Sequence, residues 1–205
     1  METKLGHNRK LIVALYEAMG TSLFTYCILV STADAIAASL SLFAMIVIFG
    51  PVTGGHFNPA VTLGVGLWQI FKGNIISTLI MSVLIIAGQL VGAVAGALLA
   101  TVSLDVEGSV PKEYVPVLAP QATVVTEGKN GFHQDFQTLW SQMLCTFIFV
   151  SVILMLKGKA APSKDLIHVG LTVALVLWAL ITLDFHTGAC FNPAVAIGQT
   201  FMQTT

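Results

Sequence analysis

Charge is what this sequence has least of. Asp, Glu, Lys and Arg make up 9% of its 205 residues, where a soluble domain carries roughly 25%. Arginine occurs once, as Arg9. A surface this poor in charge excludes an ordinary soluble domain. It also leaves no basic patch for nucleic acid. The three cysteines, Cys27, Cys145 and Cys190, lie within or beside apolar stretches. Their spacing suits neither a disulfide framework nor a metal site. There is no Ser/His/Asp or Cys/His triad and no glycine-rich phosphate loop, so enzyme chemistry, cofactor and metal are not expected. Sequons, lipidation motifs and low-complexity tracts are also missing.

Apolar residues fill the space instead. They make up 56% of the chain, and the mean hydropathy is +0.87. The fold class is therefore all-α integral membrane, multi-pass, with the lipid bilayer as partner. Five spans are expected, at residues 11–31, 36–52, 75–104, 136–156 and 166–183. The first follows basic residues, as a signal peptide would. Its length and the internal Glu17 mark it as a retained span. Residues 105–135 hold Pro111, Pro116, Pro120 and five acidic residues, which reads as a long loop.

Between the spans one motif occurs twice. Thr53-Gly54-Gly55-His56-Phe57-Asn58-Pro59-Ala60-Val61 is answered by Thr187-Gly188-Ala189-Cys190-Phe191-Asn192-Pro193-Ala194-Val195. Asn is a good N-cap and Pro is favoured at the first helical position, so each copy starts a helix. From Asn58 to about residue 70 that helix reaches roughly 20 Å, too short for a hydrocarbon core of about 30 Å. A short helix starting at membrane depth directs its positive end at a passing ligand.

Basic residues give the orientation. Lys4, Arg9, Lys10, Lys72, Lys157, Lys159 and Lys164 fall on one side, and Lys112 and Lys129 on the other. The richer side is expected to be cytoplasmic, with the N-terminus there. The two half-helices then come from opposite sides as an inverted repeat. The 1–205 channel domain divides into a first repeat (1–104), an external loop (105–135) and a second repeat (136–205). A sixth span answering residues 75–104 would begin near residue 209, so it is absent from the sequence, which is expected to be a trimmed form of a longer chain.

The paired Asn-Pro-Ala motifs, the early Glu17-Ala18-Met19-Gly20-Thr21 and Ala87-Gly88-Gln89-Leu90-Val91-Gly92-Ala93 resemble the aquaporin (major intrinsic protein) family. The resemblance implies a homotetramer with one pore per subunit, passing water or small neutral solutes. It implies a pore lined at Asn58, Pro59, Ala60, Asn192, Pro193 and Ala194. The backbone carbonyls of Gly54, Gly55, His56, Gly188 and Cys190 would accept hydrogen bonds along the path. Glu17 and Gln142 would support the two half-helices. The narrow filter would fall at Ala38, Leu180 (or its neighbour Ala179), Ala189 and Val195.

Three departures follow. Val195 stands where the family's filter usually has Arg, which predicts an apolar, less water-selective pore. Ala196 stands where glycerol-conducting members carry Asp. Gln142 replaces a second Glu, which predicts slightly weaker support of the second half-helix. Cys190, near Asn192, suggests block by mercurials. His56 is expected either to bond the loop or to face the pore; Asp184 and His186 are read as solvated loop residues at the outer mouth. Gly88, Gly92 and Gly96 recur every four residues and predict close helix packing. Two other functions compete. A secondary transporter needs intramembrane charges, and only Glu17 lies well inside a span. A non-conducting structural or adhesive protein on the same fold would show no flux.

Overall fold

Inside a bilayer every backbone polar group must be paired within the protein, which leaves helices as the solution for runs like these. The computed structural model describes residues 2–104, 131–159, 161 and 163–204. They form α1 (Glu2–Val30), α2 (Ala35–Thr53), α3 (Pro59–Ile70), α4 (Ile75–Leu104), α5 (Gly131–Lys157), α6 (Leu166–Leu183) and α7 (Pro193–Thr204). A single turn at Phe185–Thr187 precedes α7. Five of these, all but α3 and α7, are long and apolar enough to span.

Two boundaries differ from expectation. Helix α1 starts at Glu2 rather than near Leu11, because nothing in the polar leader breaks it. Helix α5 starts at Gly131, so residues 131–135 are helix and not loop. The rest of the expected external loop, including Lys112 and Lys129, lies outside the described residues. Elsewhere the polar links act as caps. Asp34 Oδ1 accepts from Ala37 N at 2.7 Å, and Asp165 Oδ1 accepts from Ile167 N and His168 N at 3.0 Å. Each such cap contributes about 1 kcal/mol.

The bundle is held by close backbone approach. Helix α1 packs along α4, α2 along α6, and α7 along α4. A Cβ on Gly88, Gly92 or Gly96 would stand 2.5, 2.2 or 2.2 Å from the carbonyl oxygens of Ala14, Ala18 and Ser22. The glycine stripe is therefore the α1–α4 contact itself. Large apolar side chains such as Leu15, Ile48, Val83, Phe147 and Met155 point outward, the surface that lipid covers.

Candidate functional site

The two repeated motifs meet, N-terminus to N-terminus. Asn58 Oδ1 accepts from Ala60 N at 2.8 Å, and Asn192 Oδ1 accepts from Ala194 N at 3.1 Å. Each amide nitrogen then crosses to the other copy. Asn58 Nδ2 donates to Phe191 O at 2.9 Å, and Asn192 Nδ2 donates to Phe57 O at 2.7 Å. The oxygen caps its own helix while the nitrogen clamps the opposing loop. An NH₂ group carries two donors, so each Asn keeps one N–H beyond the clamp. Both Asn side chains line a narrow cavity of about 60 Å³.

The loops before each Asn are held by polar side chains from neighbouring spans. Glu17 is fully buried and accepts from His56 N (2.9 Å) and Phe57 N (2.7 Å). Gln89 Nε2 donates to Glu17 Oε2 at 2.8 Å and to Thr62 Oγ1 at 3.0 Å, and Thr62 Oγ1 meets His56 Nδ1 at 3.2 Å. His56 thus bonds the half-helix and also lines the cavity. In the second copy, the amide of Gln142 fits a mixed environment. Besides the Thr187 hydroxyl at 2.8 Å, one end of the amide faces Cys190 O at 3.0 Å and the other faces Ala189 N and Cys190 N at 3.3 Å, which orients the nitrogen toward the carbonyl and the oxygen toward the two N–H groups. Asp184, expected to be solvated, is instead 1% exposed and takes hydrogen bonds from Ser141 Oγ and Thr187 Oγ1. Thr53 and Thr187 have one job in both copies: each hydroxyl accepts from the N–H two residues on. Gly54, Gly55, Phe57, Gly188 and Ala189 all have positive φ. For the two non-glycine residues that costs roughly 1–2 kcal/mol each, as it does for Thr32 and Ala33 in the turn between α1 and α2.

The expected filter residues are partly brought together. Ala38, Ala189 and Val195 line the narrow cavity. Leu180 does not; it is buried in the core, and Leu177 and Ile181 form the α6 wall. On a helix those two are four apart and share a face, which a count from Asn192 across the extra turn at Phe185–Thr187 does not locate. Cys190 also lines the cavity. Among the expected carbonyls, Gly54 O is already taken by Lys157 Nζ at 2.7 Å. Two wider cavities of about 310 Å³ open at the other end. One is lined by Gly54, Gly55, Ile153, Lys157 and Lys164, the other by Gly54, His56, Thr62, Ser82 and Lys157.

Sequence reasoning passed over Gln89, Lys157, Leu177 and Ile181. Gln89 carried a usable signal, since an uncharged polar residue deep in an apolar span seeks a partner as Glu17 does. Among the described residues no cluster of His, Cys, Asp and Glu could hold a metal.

These features define a class: multi-pass helical membrane proteins whose two opposed re-entrant half-helices meet beside an internal cavity. The chain belongs to the major intrinsic protein family, whose profile matches residues 9–205. It is 31% identical to "Aquaporin-8" of Botryotinia fuckeliana over 83% of this chain and 46% of that one. It is 28% identical to "Glycerol uptake facilitator protein-like 6" of Lactiplantibacillus plantarum, over 90% of this chain and 81% of the relative. The chain thus spans less than half of the first relative and most of the second. The aquaglyceroporin structure from Plasmodium falciparum shares the fold, with a TM-score of 0.68 at 18% identity, covering 95% of this chain and 80% of that one. Members of the family are channels, not enzymes.

Proposed function

We propose that this chain forms a passive channel for water and small neutral solutes. The path runs from the wide cavities at Lys157, past Asn58 and Asn192, and out along Ala38, Leu177, Ile181, Ala189 and Val195. The observation that carries the reading is the reciprocal clamp of the two Asn amides on the opposite Phe carbonyls. It fixes two helix N-termini, each worth about half a positive charge, at one point of the path. Neutral molecules pass such a point by exchanging hydrogen bonds; cations and protons are repelled. Among the described residues the wall beyond it carries no charge, which favours neutral solutes with some apolar surface over strict water selectivity. Helix α1 starts on the face that carries Lys72, Lys157 and Lys164, and we place that basic face in the cytoplasm. The family resemblance further implies four copies, each with its own pore, in line with the apolar outer surface.

The test is stopped-flow swelling of proteoliposomes in water, glycerol and urea. Flux of water together with a small solute is expected. Fast water flux with no solute flux overturns the broad-pore reading. No flux of any kind favours a non-conducting structural protein on this fold.

A further inference from the structure

The wall charges are unevenly placed. Among the described residues that line the narrow cavity and the two wide ones, only Lys157 and Lys164 are Asp, Glu, Lys or Arg. We propose that Lys157 is a second cation-excluding element of this pore, adding at the basic mouth to the barrier of the two helix N-termini and doing there what the uncharged outer wall cannot do. The proposal rests on the channel reading above.

Three observations carry it. First, Lys157 stands in the wall of both wide cavities, and so does Gly54. A molecule in either cavity therefore meets the same ammonium. Second, the ammonium is fixed there. Its Nζ lies 2.7 Å from Gly54 O, on the loop that leads to Asn58. Third, among the described residues no acid lines the path beside it, and the one carboxylate whose charge reaches it, Glu17, is set back from the cavities. Glu17 is fully buried, gives its oxygens to His56 N, Phe57 N and Gln89 Nε2, and lines none of the three cavities. Lys164 adds charge of the same sign in one cavity only, with its Nζ turned to the carbonyls of Leu156 and Gly158. A unit charge within several Å of the path, at an effective dielectric of about 20, lowers monovalent cation occupancy by roughly tenfold or more. A neutral solute feels no such penalty and finds in the ammonium a hydrogen-bond donor.

The experiment uses the whole chain in proteoliposomes, with potassium leak and osmotic water flux measured on the same preparation. Lys157→Gln keeps a donor for Gly54 O and removes the charge; Lys157→Arg keeps the charge. The ratio of potassium leak to water flux is expected to rise about tenfold in Lys157→Gln and to stay near the wild-type value in Lys157→Arg. An unchanged ratio in Lys157→Gln, or an equal rise in both variants, overturns the assignment. A second readout needs no variant: residual ion leak through the wild-type protein should favour chloride over potassium, and a preference for potassium also overturns it. If the wild-type protein passes no water or glycerol at all, the channel reading falls and this assignment with it.

Discussion

A single asparagine side chain does two things at once in each half of this protein. Its oxygen caps a helix and its nitrogen holds the loop of the other half. Asn58→Ala removes both, leaves Phe191 O without its donor, and should destabilise the protein by roughly 1–3 kcal/mol. The expected readouts are a lower melting temperature in detergent and a loss of flux in proteoliposomes; wild-type melting would mean that the clamp is not a structural element. Residue chemistry also explains why Gln142 is not a second Glu. Both oxygens of Glu17 meet donors, whereas Gln142 meets two N–H groups and one carbonyl, beside the buried Asp184. Gln142→Glu would set a carboxylate oxygen against Cys190 O and a second charge near Asp184. It should cost on the order of 1–3 kcal/mol, seen as a melting temperature below wild type. A gain in stability would contradict this. The sequence-level expectation that Gln is merely a weaker Glu misses the carbonyl, because a motif says nothing about what faces each end of an amide.

At the scale of elements, small residues set how near the helices come. Gly92 lies against Ala18 O with no room for a Cβ. Gly92→Val should push α1 from α4 and, through α1, shift Glu17 from the first loop. A cost of roughly 1–3 kcal/mol is expected from overpacking alone, and thermal unfolding followed by circular dichroism would measure it. An unshifted melting curve would show that the α1–α4 contact can open freely. Most elements were legible in the sequence. Apolar run lengths placed α2, α4 and α6 to within a residue or two, since lipid leaves little choice of structure. The repeated Asn-Pro placed both half-helix starts. What was not legible depended on tertiary geometry: the burial of Asp184, the shift of the α6 wall from Leu180 to Leu177 and Ile181, and the capture of Gly54 O by Lys157. None of these follows from hydropathy or spacing along one element.

For the whole molecule, the parts form a graded path. On the proposed path, the wide cavities at Lys157 lead to two opposed helix N-termini and then to an apolar wall at Ala38, Leu177 and Val195. Such a path suits the proposed passive conduction, and among the described residues that line it no carboxylate is available for coupling to a gradient. The central claim is that the Asn58–Asn192 centre conducts. Stopped-flow light scattering of proteoliposomes carrying the full-length protein, under an osmotic step and with no ion gradient, tests it most directly. The account predicts shrinkage clearly faster than that of protein-free liposomes and unchanged when sodium or proton gradients are added. A rate equal to that of protein-free liposomes, or one that appears only with an ion gradient, would contradict it.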